Sequence, residues 1–201
     1  MSPAPVGVGT SDGRRRAVGL ADDFQTTIEA ARQAAPWAWS AIYEELAPAV
    51  TGYLRANGVP DPEDVTAEVF LRVVQDVGKF EGDEANFRSW VFVIAHHRMV
   101  DDRRRRIRHP QAALRLEMLE RKAHGNVERE AMDHLNANTV QAIIDRCAPD
   151  QREVLLLRVI AGLTLVETAE VVGKSLGAVK ALQRRGIAAI AREFSREGVP
   201  F

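Results

Sequence analysis

Lys180, Arg184 and Arg185 recur at helical spacing on a segment whose other face carries Val179, Leu182, Ile187 and Ile190. Long cationic side chains so placed reach phosphates or the edge of guanine, a good bidentate pair being worth about 1–3 kcal/mol of discrimination. Beside them Ser175, Gly177, Ala178 and Ala181 are small enough to let a backbone approach base edges closely. Upstream, Thr164 is suited to cap a helix containing Val166, Ala169, Val171 and Val172, and Gly173 to end it. A helix, a tight turn and a second, cationic helix is how one helix is set in the DNA major groove. A plain three-helix bundle with a solvated basic face is the competing account of the same pattern.

A second cationic run, Arg98 to Arg108, closes a long helical stretch. Arginines there complement the helix dipole, but four in a row also crowd like charge that a polyanion would neutralise. Phe80, Phe87, Trp90 and Phe92 lie just upstream; aromatics beside arginines can stack exposed bases of single-stranded DNA, although Phe87 and Trp90 fall on the apolar face and suit a core. His96, His97, Asp101 and Asp102 invite a metal reading, His97 and Asp101 sharing a face. No second helix supplies further ligands at a convincing spacing, and the arginines would repel a cation. No glycine-rich phosphate loop or nucleophile–base pair stands out, so neither catalytic residue, metal nor cofactor is expected. An acidic stripe of Asp61, Glu63, Asp64 and Glu68, with Phe70 beside it, is either solvated surface or a docking face for a basic helix.

The elements that must position these groups are all helical. The chain has 201 residues, a net charge of −1 and a single cysteine, Cys147, which excludes an internal disulfide and fits a reducing compartment. No apolar run is long enough to span a bilayer. Residues 1–21, rich in Pro, Gly, Ser and Ala, read as a disordered tail. Asp22 is suited to cap a first helix burying Phe24, Ile28 and Ala31. A helix after Pro36 should bury Trp39, Ile42, Tyr43, Leu46, Val50 and Leu54. The next, from Pro62, should bury Val65, Val69, Phe70, Val73, Val74 and Val77, and one from about Asn86 to Ile107 should bury Phe87, Trp90, Val91, Ile94 and Met99. No segment alternates long enough for a strand. The expected architecture is all-α: a helical domain over 22–108, a flexible linker over 109–136, and a helix-turn-helix domain over 137–197 opened by a helix from about Leu135 to Cys147.

Taken together, the two ends of the chain resemble one family. YEELAPAVTGYLRANGVPDPEDVTAEVFLRVVQDVGKF with FRSWVFVIAHHRMVDDRRRR is similar to region 2, and PDQREVLLLRVIAGLTLVETAEVVGKSLGAVKALQRR to region 4, of extracytoplasmic-function (group IV) bacterial sigma factors. The resemblance covers about Ile42 to Phe194. It implies a cytoplasmic bacterial factor, not an enzyme, that binds core RNA polymerase at the clamp helices of the largest subunit and at the flap and directs promoter-specific initiation. Polymerase contacts would fall on Asp61, Asp64, Glu68 and Phe70. The loop Glu81 to Asn86 and the following helix would capture the non-template strand at the minus-ten element and hold a flipped base, using Asn86, Phe87, Arg88, His97, Arg98, Asp101, Arg104 and Arg105. Ser175, Gly177, Ala178, Lys180, Ala181, Arg184 and Arg185 would read the minus-thirty-five element. An anti-sigma partner could occlude both partly apolar faces. Three positions depart from the family pattern: His97 stands where asparagine is common, Asp102 where an apolar residue is usual, and Ala67 where glutamine is common. The alternative is a stand-alone helix-turn-helix regulator, which would bind duplex DNA without polymerase.

Overall fold

The computed structural model describes residues 23–108 and 146–196. The expected tail, the linker, Asp22 and most of the helix expected from Leu135 lie outside them; Arg146 and Cys147, at that helix's far end, are turn and bend. Seven α-helices are described: α1 (Phe24–Arg32), α2 (Pro36–Ala56), α3 (Pro62–Asp76), α4 (Glu84–Arg108), α5 (Pro149–Val159), α6 (Leu165–Val172) and α7 (Leu176–Arg196). A short 3-10 turn, Val77–Lys79, joins α3 to the loop before α4. No described residue is in a strand.

Local chemistry sets the helix starts. The Asp23 carboxylate accepts from the Thr26 amide and that of Asp61 from the Asp64 amide, the latter followed by Pro62 in the first turn. Gly58, at φ 76°, turns the chain between α2 and α3. Behind these caps, Ile42, Leu46, Val50 and Leu54 of α2 meet Val69 and Val73 of α3 and Phe87, Val91 and Phe92 of α4 in a closed core. Three residues expected inside are exposed: Tyr43, Val74 and Ile187. Tyr43 and Val74 each follow a fully buried neighbour, Ile42 and Val73, and the helical turn of about 100° per residue swings them to the rim.

The two modules, expected as separate bundles, are in contact. Leu156, Leu157, Ala161, Leu163 and Val171 of the second module join the core of the first, with α4 packed on α6 and α2 on α5. A smaller cluster of Val154, Ala169, Val179 and Leu182 belongs to the second module alone. Inside the shared contact sits a polar group of three. The Glu153 carboxylate of α5 lies 2.5 Å from His96 Nδ1 of α4 and accepts from the Tyr53 hydroxyl of α2 at 3.2 Å, with Tyr53 3.5 Å from the same histidine nitrogen. Burial, reinforced by the Glu153 carboxylate and its hydrogen bond, pushes the Tyr53 phenol well above its ordinary value; Arg103 acts weakly the other way.

The native state therefore keeps the phenol proton at a pH where the unfolded chain has lost it. Stability linked to Tyr53 is complete below about pH 10 and falls as pH rises towards the native value. Tyr53→Phe should flatten this alkaline loss in urea unfolding at pH 9–11, at a cost of about 0.5–1.5 kcal/mol near neutrality for the lost hydrogen bond. An unchanged alkaline slope would contradict the assignment.

Candidate nucleic-acid interface

The helix-turn-helix is built by local hydrogen bonds. The Thr164 hydroxyl accepts from the Glu167 amide at 3.2 Å while the Glu167 carboxylate accepts from the Thr164 amide at 2.6 Å, closing a reciprocal cap on α6. Gly173 ends α6 at φ 64°, a left-handed conformation that favours glycine. The Ser175 hydroxyl accepts from the Ala178 amide at 3.3 Å and so caps α7. Lys174 pairs with Asp150 of α5 at 3.1 Å, tying the turn to the supporting helix. Farther along α7, a Cβ on Gly186 would come within 2.7 Å of Leu155 Cδ1, so glycine permits the close seat of α7 on α5. That seat also turns Ile187 outward.

This leaves Ser175, Gly177, Lys180, Arg184 and Arg185 exposed along one side of α7, with Ala178 and Ala181 half-buried between them. The Arg185 Nε donates to the Ala181 carbonyl at 3.3 Å, which holds its stem along the helix. All seven residues singled out in the sequence thus belong to one cationic, small-residue surface. Such a surface suits a duplex groove.

On the first module the expected residues divide. His97, Asp101, Arg104 and Arg105 are exposed on α4, whose arginines are partly neutralised from within: Arg104 lies 3.6 Å from Asp101. Asp102 lies 2.9 Å from Arg106, and Arg106 donates to the Gly58 carbonyl at 3.2 Å, which anchors the end of α4 on the turn after α2. Arg98 pairs with Glu68 at 3.7 Å and Arg88 with Glu45 at 3.3 Å, both across helices. The Asp83 carboxylate accepts from the Asn86 amide at 2.9 Å and so caps α4, while the Asn86 side chain accepts from the Asp83 amide at 3.2 Å and completes the reciprocal cap.

Two assignments need correction. Phe87, expected to touch DNA, is fully enclosed, with its ring 5.1 Å from Phe80, 5.6 Å from Trp90 and 5.7 Å from Phe24. Phe70, expected to anchor a docking partner, is also a core residue, its ring 4.8 Å from Tyr43. The most exposed large apolar side chain of α3 is instead its neighbour Leu71, at 62% exposure. Asp64, Glu68 and Leu71 follow at i, i+4 and i+7, a spacing that could have identified Leu71. Asp64 and Glu68 are exposed, whereas Asp61 is largely committed to capping. His96 faces the second module, and among the described residues no three His, Cys, Asp or Glu side chains converge as a metal site would require. Between α3 and α4, Arg72, Asp76, Lys79, Phe80 and Trp90 line an open cavity of about 320 Å³.

Residues 42–109 match the Sigma-70 region 2 family and residues 143–192 match Sigma-70 region 4, in that order along the chain. The chain belongs to the ECF RNA polymerase sigma factors. The ECF sigma factor ShbA of Streptomyces griseus is 34% identical over 128 residues, 62% of this chain and 67% of ShbA. BldN of Streptomyces coelicolor is 30% identical over 168 residues; the match takes in 82% of this sigma factor but 63% of the length of BldN. The structure of CnrH in complex with the cytosolic domain of CnrY has the same fold, with a TM-score of 0.63 at 22% identity, covering 85% of this chain and 96% of that one.

For this sigma factor, Phe87→Ala should cost about 3–5 kcal/mol of stability, as expected of a core aromatic. Phe87→Leu should cost less and leave the DNA affinity of the folded protein unchanged. Denaturant unfolding and DNA titration together check this, and a lower affinity in folded Phe87→Leu would restore Phe87 as a contact.

Proposed function

We propose that this chain directs promoter-specific initiation by core RNA polymerase. The observation that carries the reading is the pairing, in family order, of a first module that exposes both an acidic–apolar stripe and an arginine-bearing helix with a second module that exposes a cationic helix-turn-helix face. The stripe of Asp64, Glu68 and Leu71 on α3 is the polymerase-binding face, its acids suited to a basic partner helix and Leu71 to an apolar seat. The loop Glu81 to Asn86 and α4 take the non-template strand at the minus-ten element, with His97, Arg98, Arg104 and Arg105 towards the DNA. The cavity beside Phe80 and Trp90 offers aromatic surface for an unstacked base. The α7 face reads the minus-thirty-five element, and the flap supports that module. The protein supplies binding and strand separation, not covalent chemistry, and works where bacterial polymerase does, in the cytoplasm.

Reading both elements at once requires the modules to part. The elements lie on the order of 80 Å apart along straight duplex, whereas a compact body of roughly 140 residues has a radius of gyration of about 14 Å. The expected linker, residues 109–136, has a contour length on the order of 90 Å, enough to allow separation. An anti-sigma partner that covers the α3 stripe and the DNA faces together would hold the factor inactive.

In vitro transcription with purified core polymerase over a genomic promoter library tests the reading. Discrete start sites that appear only with this protein are expected; their absence would refute it. Glu68→Arg should weaken core association by about tenfold with little change in stability, since its exposed pair with Arg98 contributes little. Wild-type retention of that variant on immobilised core polymerase would remove Glu68 from the docking face.

A further inference from the structure

The first helix, α1, precedes the residues matched to region 2, yet it grips the loop assigned above to strand capture. The Arg32 guanidinium donates to the Phe80 carbonyl at 2.5 Å and pairs with Glu29 of its own helix at 3.1 Å. About two turns earlier, the Gln25 amide donates to the Gly82 carbonyl at 3.4 Å, and the Phe24 ring meets Phe80 edge-on with centroids 6.4 Å apart. Besides these contacts, the loop is fixed by packing of the Phe80 ring on Phe87 and Trp90, with centroids 5.1 and 5.3 Å apart. Its ends are held by the Phe80 amide to the Val77 carbonyl and by the Asp83–Asn86 exchange. Between them Gly82 sits at φ 145°, where a Cβ would come within 2.8 Å of Asn86 Cβ. The side chains of α1 thus hold two carbonyls of the loop, those of Phe80 and Gly82, from outside it. The Phe80 side chain, on the gripped residue, is also a wall of the adjoining cavity.

We infer that α1 is a clamp for the strand-capturing loop, with Arg32 and Gln25 as positioning residues that set the Phe80–Gly82 backbone before a base arrives. This rests on the assignment of that loop to strand capture. A site held in its bound geometry does not lose ordering entropy at the moment of capture, so releasing the clamp should weaken capture without removing any DNA contact. Arg32 acts through Phe80 and need not touch the strand itself.

The test uses holoenzyme assembled from core polymerase and the full chain. The probe is a single-stranded oligonucleotide carrying the minus-ten segment of a promoter that this holoenzyme transcribes. Arg32→Ala should lower affinity for the oligonucleotide by about tenfold, a change of about 1.4 kcal/mol. Gln25→Ala, at a more exposed position, should lower it several-fold, and Arg32→Lys should recover part of the loss. Core polymerase binding and duplex minus-thirty-five binding should stay at wild-type values. The slope of log affinity against log salt separates positioning from contact: an unchanged slope supports the clamp, while a fall of about 0.7 would make Arg32 a phosphate contact and overturn it. Wild-type affinity in both folded alanine variants would also overturn it. If wild-type holoenzyme fails to bind the oligonucleotide, the strand-capture assignment fails and takes the clamp with it.

Discussion

The contact between the two modules is the constraint on which the rest of the structure depends. Leu157 and Leu163 are almost wholly buried in the core shared with the first module, and α6, a helix of eight residues, is too short to be stable without such packing. The same contact encloses Tyr53, His96 and Glu153. Buried polar groups are costly when unpaired, and these three satisfy one another only while the modules are together. Apolar area favours closure without direction, whereas the hydrogen-bonded group fixes which faces meet.

This has a functional side. The α7 face and the exposed arginines of α4 both face solvent in the closed arrangement, so closure does not hide the groups proposed to read DNA one by one. It holds them too near each other to serve two distant promoter elements. When Glu153 parts from Tyr53 and His96, all three meet water, which offsets much of the lost bonding. A contact of that kind can be strong enough to define the free protein yet weak enough for polymerase and DNA to displace. Cys147 is buried against the Gly186 carbonyl, 4.0 Å away, and burial pushes its thiol up, so it is a packing residue of the second module.

Much of this was legible in the sequence because it is encoded locally. Thr164 with Glu167, Gly173 and Ser175 each act within four residues, so the helix-turn-helix and its cationic face could be read directly. The helical cores of α2, α3 and α4 followed from apolar spacing. Tyr43 and Val74 lie at the edges of apolar faces, where one helical step separates core from surface and periodicity alone cannot choose; for Phe70 and Phe87 the apolar spacing indicated the core, and it was the contact roles given to them that failed. The inter-module contact was not legible at all. Tyr53 and Glu153 are separated by 100 positions, and nothing local to either announces the other. The grip of Arg32 on a carbonyl 48 residues away was hidden for the same reason.

The central claim is that a body closed in isolation opens on the transcription machinery to hold two promoter segments. Fluorescent labels on Thr26→Cys and Ala188→Cys, one exposed position per module, would report it by energy transfer. The buried Cys147 is poorly placed to compete for label. A single short distance in the free protein, lengthening by several tens of ångströms in a promoter-bound holoenzyme, is the result expected. A distance that stays short in a complex actively making RNA would contradict the account.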